Sequence, residues 1–211
     1  MMTSDEVYRL LEGHNAIIRN THVVYTSGKH GDAYVNKDAL YPDTAAVSSL
    51  CASFAAHFQD RGVEVVAAPA VGGVALSQWT AHHLSRHDVT VLAVYAEKQA
   101  DSSFVFRRGY DSLVRDHKVL VVEDVLTTGA SVKAVVEAVR LTGGDVLGVA
   151  AICNRGDVQP QYLGTSELFA LTHLVLQAWE EPTCPLCASG VPINTTVGKG
   201  REYLLAKGRR L

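Results

Sequence analysis

Two adjacent carboxylates, Glu123 and Asp124, stand just ahead of a run of small and hydroxylated residues, Thr127, Thr128, Gly129, Ala130 and Ser131. The two groups favour opposite chemistry, and that contrast narrows the ligand. Successive backbone N–H groups at a helix start, with Thr and Ser hydroxyls and the positive end of the helix dipole, suit a doubly charged anion such as phosphate. Gly129 lets the backbone approach such an anion closely. Carboxylates repel phosphate, yet they accept hydrogen bonds from vicinal hydroxyls and help hold a hydrated Mg²⁺. A sugar phosphate satisfies both groups. A P-loop is excluded, because no Gly-rich turn followed by Lys-Ser or Lys-Thr is present. The plain alternative is a buried strand, turn and helix in which the two acids only cap.

These residues need elements to position them. Residues 119–122 are apolar and β-branched, as in a strand buried on both faces of a parallel sheet. That places Glu123 and Asp124 at its carboxyl end, where open α/β sheets bind ligands. An amphipathic helix over 132–141 follows. The same plan recurs at 63–84, where an apolar strand over 63–68 runs into Pro69-Ala70-Val71-Gly72-Gly73 and a helix over 74–84. A second anion site in that turn is the simplest reading, the alternative being glycines placed for packing. Strands over 89–95 and 146–153 complete a β-α-β-α-β order, hence an α/β fold with a parallel sheet and helices on both faces.

Outside this core, Thr3 and Glu6 have capping-box spacing at the start of a short helix stopped by Gly13, and 44–58 reads as an Ala-rich helix. Residues 16–25 and 33–36 are β-like and predict a small layer apart from the main sheet. Between Tyr95 and Lys118 lies a polar insertion. Residues 104–106 pair there as a short ribbon, 98–103 are expected to be mobile as a lid, and Lys98, Arg107 and Arg108 bring cations to a site holding phosphate charge.

The 211 residues, 47% hydrophobic and 19% charged, suit one globular domain. A net charge of −3 without a basic tract argues against nucleic acid, and no apolar run reaches the roughly 20 residues of a membrane span. Residues 1–12 carry Asp5, Glu6 and Glu12 in place of a signal pattern, so a cytoplasmic protein is expected. Four cysteines are too few for a disulfide framework, and Cys51 and Cys153 read as core thiols. Cys184-Pro185-Leu186-Cys187 offers half of a tetrahedral zinc site, but His173, the nearest histidine, has no second partner at ligand spacing. A structural turn is therefore preferred to a metal or redox site, and no metal ligand is assigned. His82, His83 and His87 read as a polar helix face, and His30 as a modest candidate for substrate contact.

The run 118–131, KVLVVEDVLTTGAS, resembles the phosphoribosyl-pyrophosphate (PRPP) motif of type I phosphoribosyltransferases. The likeness extends over nearly the whole chain and fits orotate phosphoribosyltransferases of the short-catalytic-loop type best. Tyr25-Thr26-Ser27-Gly28-Lys29-His30 with Tyr34 and Asn36 resembles that family's amino-terminal base-binding segment, and Ala68-Pro69-Ala70-Val71-Gly72-Gly73 its pyrophosphate loop. Ala96-Glu97-Lys98 is similar to the opening of its flexible catalytic loop, and Ile152-Cys153-Asn154-Arg155 to the strand end whose arginine binds the orotate carboxylate. A guanidinium fork matches a planar carboxylate.

The resemblance implies a central, mainly parallel sheet with a hood over 1–40, a core over 41–176 and an irregular tail over 177–211. It also implies Mg²⁺, a homodimer in which one subunit's loop covers its partner's site, and transfer of a phosphoribosyl group from PRPP to orotate. Carried over residue by residue, PRPP falls to Glu123, Asp124, Leu126, Thr127, Thr128, Gly129, Ala130, Ser131, Ala70, Val71, Gly72, Gly73, Lys98, Arg107 and Arg108. The base falls to Ser27, Gly28, Lys29, Tyr34, Thr128 and Arg155, with Lys98 and Asp124 as catalytic residues. Two departures stand out. Thr26 occupies a place where relatives commonly carry Lys, with Lys29 available to compensate, and the loop lacks their second Lys and His, ending in Arg107-Arg108-Gly109. A phosphoribosyltransferase acting on another base, or a non-catalytic PRPP sensor, stays open as an alternative.

Overall fold

The computed structural model describes residues 1–208, which divide into two compact units. The larger comprises Met1–Leu10 and Tyr41–Leu174. Its α1 (Ser4–Gly13) starts with the capping box expected from sequence: the Glu6 carboxylate accepts the Thr3 N–H at 2.7 Å, and Thr3 Oγ1 accepts the Glu6 N–H at 3.3 Å. Asp43 caps α2 (Thr44–Phe58) by accepting two N–H groups at 3.0 Å.

The main sheet comprises β5 (Val65–Pro69), β6 (Leu92–Lys98), β7 (Phe104–Val105), β8 (Lys118–Leu126), β9 (Asp145–Asn154) and β10 (Leu168–His173). Its order is β10-β9-β8-β5-β6-β7, parallel except for the β6–β7 ribbon. The crossovers use α3 (Gly73–Leu84) and α5 (Ala130–Thr142), while α4 (Tyr110–Val114) and α6 (Pro160–Leu163) are single short turns of helix.

Strand alternation sorts the core. Val65, Ala67, Val119, Val121, Val149 and Ala151 join Val132, Val135, Val136 and Val139 of α5 in one apolar cluster. Residues of opposite parity face away from it, toward α2 and α3: a Cβ on Gly73 would lie 2.6 Å from the Ala68 Cβ, and one on Gly148 3.1 Å from the Phe58 ring.

Two strands of the main sheet have boundaries that differ from the sequence reading by three residues or more. Residues 86–89 close a turn through reciprocal Arg86–Val89 backbone bonds of 2.8 and 3.1 Å, so the third strand starts at Leu92 and not at Val89. β8 runs on to Leu126 because β9 continues to pair with it, Val125 opposite Cys153 and Leu126 opposite Asn154. Glu123 and Asp124 are thus inside the strand, not beyond it.

The second unit joins Leu11–Leu40 to the segment from Val175 onward. Its two-stranded sheets pair β1 (Ile17–Ile18) with β4 (Tyr34–Val35), and β2 (Val23–Val24) with β3 (His30–Gly31). The carboxy-terminal segment, expected to be irregular, carries α7 (Pro185–Ala188) and α8 (Gly200–Ala206). Backbone bonds tie it to the amino-terminal strands: His30 and Trp179 exchange two of 2.8 Å, Asn194 donates to the His22 carbonyl at 2.7 Å, and Lys199 to that of Val24 at 2.7 Å.

Candidate active site

At the carboxyl end of β8 the chain turns through Thr127, Thr128 and Gly129 into α5. Gly129 has φ +74°, the left-handed region, and a Cβ there would sit 2.9 Å from Val158 and 3.0 Å from Leu163. Both constraints select glycine. Thr127, Thr128, Ala130 and Ser131 are exposed around this turn, and Thr128 Oγ1 accepts the Ala130 N–H at 3.3 Å. Together with Leu126, Gly129 and Glu123 they line a hollow of about 180 Å³, open at the amino terminus of a helix of 13 residues. Such a hollow offers amide donors, hydroxyls and a favourable dipole to an anion.

The strand separates the acidic pair. Glu123 shares the parity of Val119 and Val121 and faces the α5 side, where it lines the hollow at 8% exposure. Asp124, 4% exposed, faces the other side, where its Oδ2 accepts the Tyr41 hydroxyl at 2.9 Å. Its Oδ1 accepts the Val125 N–H at 2.7 Å, and Glu123 Oε1 accepts the Asp124 N–H at 3.0 Å. Burial, and then the Asp124 charge, push the Tyr41 phenol far up, so it remains a donor. The sequence reading missed Tyr41. An aromatic two residues ahead of a capping Asp carries no local signal of a partner 83 positions away.

The turn after β5 lies at the same sheet edge, since β5 and β8 are neighbouring parallel strands. The Ala70 N–H donates to the Ala96 carbonyl at 2.9 Å, the Ala70–Val71 peptide is cis, and Val71 projects outward at 86% exposure. Gly72 precedes α3, and Gly73 allows that helix to approach Ala68. Arg155 follows β9 at this edge too, its N–H bonded to the Leu126 carbonyl at 2.9 Å. The loop is fixed by Asn154, a buried residue that both donates to the Val158 carbonyl at 2.9 Å and accepts its N–H at 3.0 Å.

Lys98 ends β6, exposed and opposite Phe104 of β7. The stretch to Ser103, expected to be a lid, closes as a hairpin turn, with Gln99 donating to the Ser103 carbonyl at 2.8 Å and Asp101 accepting the Ser103 N–H at 3.0 Å. Arg107 and Arg108 are not free cations. Glu97 accepts from Arg108 Nε at 3.0 Å and lies 3.8 Å from Arg107 Nε, while Arg107 Nη2 donates to Gln99 at 2.7 Å. Glu97 is a partner the sequence reading overlooked.

In the second unit, the segment Ser27-Gly28-Lys29 is a tight turn: Tyr25 N–H donates to the Lys29 carbonyl at 2.8 Å, and Gly28, at φ +84°, donates to the Tyr25 carbonyl at 2.9 Å. The Lys29 ammonium pairs with Glu180 at 3.2 Å, and Tyr34 is in β4. Two readings need correction here. His30 is fully buried, so it is not a substrate contact. Cys184 and Cys187 do have histidine partners, but these are His22 and His30, brought over by tertiary pairing, and not the exposed His173.

Comparison with known proteins agrees with this geometry. The model of the phosphoribosyl transferase domain matches residues 36–161. An orotate phosphoribosyltransferase from Caldicellulosiruptor bescii is 36% identical over 196 residues, 91% of this chain and 96% of that one. Another, from Caldanaerobacter subterraneus, is 35% identical over 190 residues, 89% and 92% of the two chains. The crystal structure of Mycobacterium tuberculosis orotate phosphoribosyltransferase with inorganic phosphate superposes with a TM-score of 0.62 at 24% identity, covering 80% of this chain and 95% of that one, which shows a shared fold.

Proposed function

Since the chain belongs to the phosphoribosyl transferase family, with orotate phosphoribosyltransferases related to it over most of its length, we propose that it transfers a 5-phosphoribosyl group from PRPP to orotate. The anomeric C–O bond of PRPP breaks, a bond forms from that carbon to a ring nitrogen of orotate, and the products are orotidine 5′-monophosphate and pyrophosphate. The observation that carries the reading is Glu123 beside the amide and hydroxyl donors of 127–131, a carboxylate for ribose hydroxyls next to a cradle for the 5′-phosphate.

Bond breaking leaves positive charge on the ribose and adds negative charge to pyrophosphate. Fixed dipoles and charges stabilise that separation without a covalent nucleophile. Glu123 and Asp124, approaching from the two faces of β8, are assigned to the cationic ribose, the backbone of 70–73 to pyrophosphate, and Lys98 to the charge on the leaving group. Arg107 and Arg108 join it once Glu97 releases them. Arg155, Thr128 and the Ser27–Lys29 turn with Tyr34 are assigned to the base. Glu123, an oxygen donor lining the hollow, would suit a hydrated Mg²⁺ bound with PRPP, and that ion would neutralise pyrophosphate charge.

The proposed setting is a cytoplasmic homodimer, resting on the likeness of the loop to one that covers a partner's site. Among the described residues no helix is long and apolar enough to cross a membrane. The test is pyrophosphate release from PRPP with a panel of bases. Release that requires orotate supports the reading. Release driven by a purine replaces it with base salvage, and PRPP binding without turnover replaces it with a sensor.

A further inference from the structure

Four metal-binding side chains converge in the second unit, outside the phosphoribosyl transferase match at 36–161: His22, His30, Cys184 and Cys187. Their ligand atoms lie within 4.8 Å of one another. His22 Nε2 is 3.6 Å from each sulfur, His30 Nδ1 is 3.3 Å from Cys187 Sγ, and the two nitrogens are 2.8 Å apart. Around a tetrahedral zinc with Zn–N of about 2.05 Å and Zn–S of about 2.3 Å, the N···S edges are about 3.6 Å and the N···N edge about 3.3 Å. The two His22–sulfur edges already have this size, the His30–Cys187 edge is about 0.3 Å short of it, and the nitrogen pair needs to open by roughly half an ångström.

The surroundings prepare the ligands. His22 Nδ1 lies 2.7 Å from the Val191 carbonyl, which can only accept, so the proton is on Nδ1 and Nε2 presents its lone pair to the cluster. His30 is fully buried and its Nε2 has no hydrogen-bond partner among the described residues, so the polar hold on this ring is at Nδ1, the atom facing His22 and Cys187. Register explains the meeting of the histidines. Val24 pairs with His30, so His22 is its diagonal neighbour on the same face of the β2–β3 hairpin, and the ring centroids are 5.0 Å apart. Cys184 caps α7 and Cys187 lies within it, bringing two sulfurs to one side.

We propose that His22, His30, Cys184 and Cys187 bind one structural zinc ion in a closed tetrahedral site that fastens the amino-terminal hairpin to the carboxy-terminal segment. Two thiols release their protons on binding, and Zn²⁺ with two thiolates and two neutral imidazoles is neutral overall, as suits a site where three of the four ligand residues are buried. The two-nitrogen, two-sulfur set selects zinc over the hard, oxygen-seeking cations. A cleft of about 730 Å³ lined by His22, Cys187, Val191 and Tyr203 gives the ion a way in. Because the turn 27–29 lies between the two histidines, the metal also closes the loop that presents Ser27, Gly28 and Lys29. The site itself stands whichever base the protein uses.

The test uses the untagged full chain, purified anaerobically from zinc-supplemented culture. Mass spectrometry is expected to find about one zinc per chain, sharply reduced in Cys184→Ser and Cys187→Ser. If those variants do not fold, the wild-type protein still decides: chelated and reloaded with Co²⁺, it is expected to show thiolate-to-cobalt charge transfer and the strong visible bands of tetrahedral cobalt. Substoichiometric zinc with a weak octahedral cobalt spectrum overturns the proposal, as does a Cys184–Cys187 disulfide in the anaerobically purified protein.

Discussion

Tyr41→Phe removes a single oxygen and isolates one contact, the 2.9 Å bond from the Tyr41 hydroxyl to Asp124 Oδ2. Asp124 is 4% exposed, so water can replace the lost donor only in part. A hydrogen bond to a charged group contributes about 1.5–3 kcal/mol. At roughly 2–4 °C per kcal/mol for a chain of this size, the melting temperature falls by about 3–12 °C, nearer the lower figure if water enters beside the ring. Without Tyr41, Asp124 Oδ2 is held less firmly while Oδ1 still accepts the Val125 N–H, so the Michaelis constant for PRPP rises. Thermal unfolding and PRPP titration read the two effects separately. A double-mutant cycle with Asp124→Asn identifies their source. If the bond is responsible, the second substitution costs less in the Tyr41→Phe background, with a coupling of about 0.5–3 kcal/mol. Additive effects with an unchanged melting temperature would refute the assignment of Tyr41 as the residue that orients Asp124.

Gly129→Ala forces a side chain into the left-handed region, costing about 1–2 kcal/mol, and brings a Cβ within 2.9 Å of Val158; PRPP affinity is expected to drop, and wild-type affinity by calorimetry would contradict the cradle. Glu97→Gln breaks the pairing that holds Arg108 and approaches Arg107, so PRPP should bind more tightly at low salt, whereas an unchanged salt dependence of its binding removes the arginines from the site. Burial pushes the Cys51 and Cys153 thiols up from 9.0 to about 12, and raises the Tyr41 phenol above 10.0. The native state keeps these protons where the unfolded chain releases them, so stability is full below pH 9 and declines as pH climbs from 9 toward 12, measurable by denaturant unfolding across that range. A flat profile over that window would show that the thiols do not titrate differently on unfolding.

Local pattern sufficed for the elements around the site. The capping box at Thr3 and Glu6, the Ala-rich α2, and the strand-turn-helix units around Gly73 and Ala130 are each written in consecutive residues, and each forms, the two units with ends shifted by up to four residues. What escaped depends on pairing across the chain. Strand parity, which sends Glu123 and Asp124 to opposite faces, follows only once β8 is known to continue to Leu126. The Tyr41–Asp124 bond spans 83 positions, and the contact of Cys184 with His22 spans 162. The histidine nearest to Cys184 and Cys187 in sequence is His173, whereas the hairpin carrying His22 and His30 closes on them from the other end of the chain. Arg107 and Arg108 were legible as cations, but the β6–β7 register that places them near Glu97 was not.

The site at the end of β8 is most directly tested by following conversion of orotate to orotidine 5′-monophosphate in the presence of PRPP and Mg²⁺, for the wild-type chain and for Glu123→Gln combined with Asp124→Asn. The wild-type protein should convert orotate with one pyrophosphate released per nucleotide, and the folded double variant should lose that turnover. Equal turnover by the double variant, or no nucleotide formed by the wild-type protein, would contradict it.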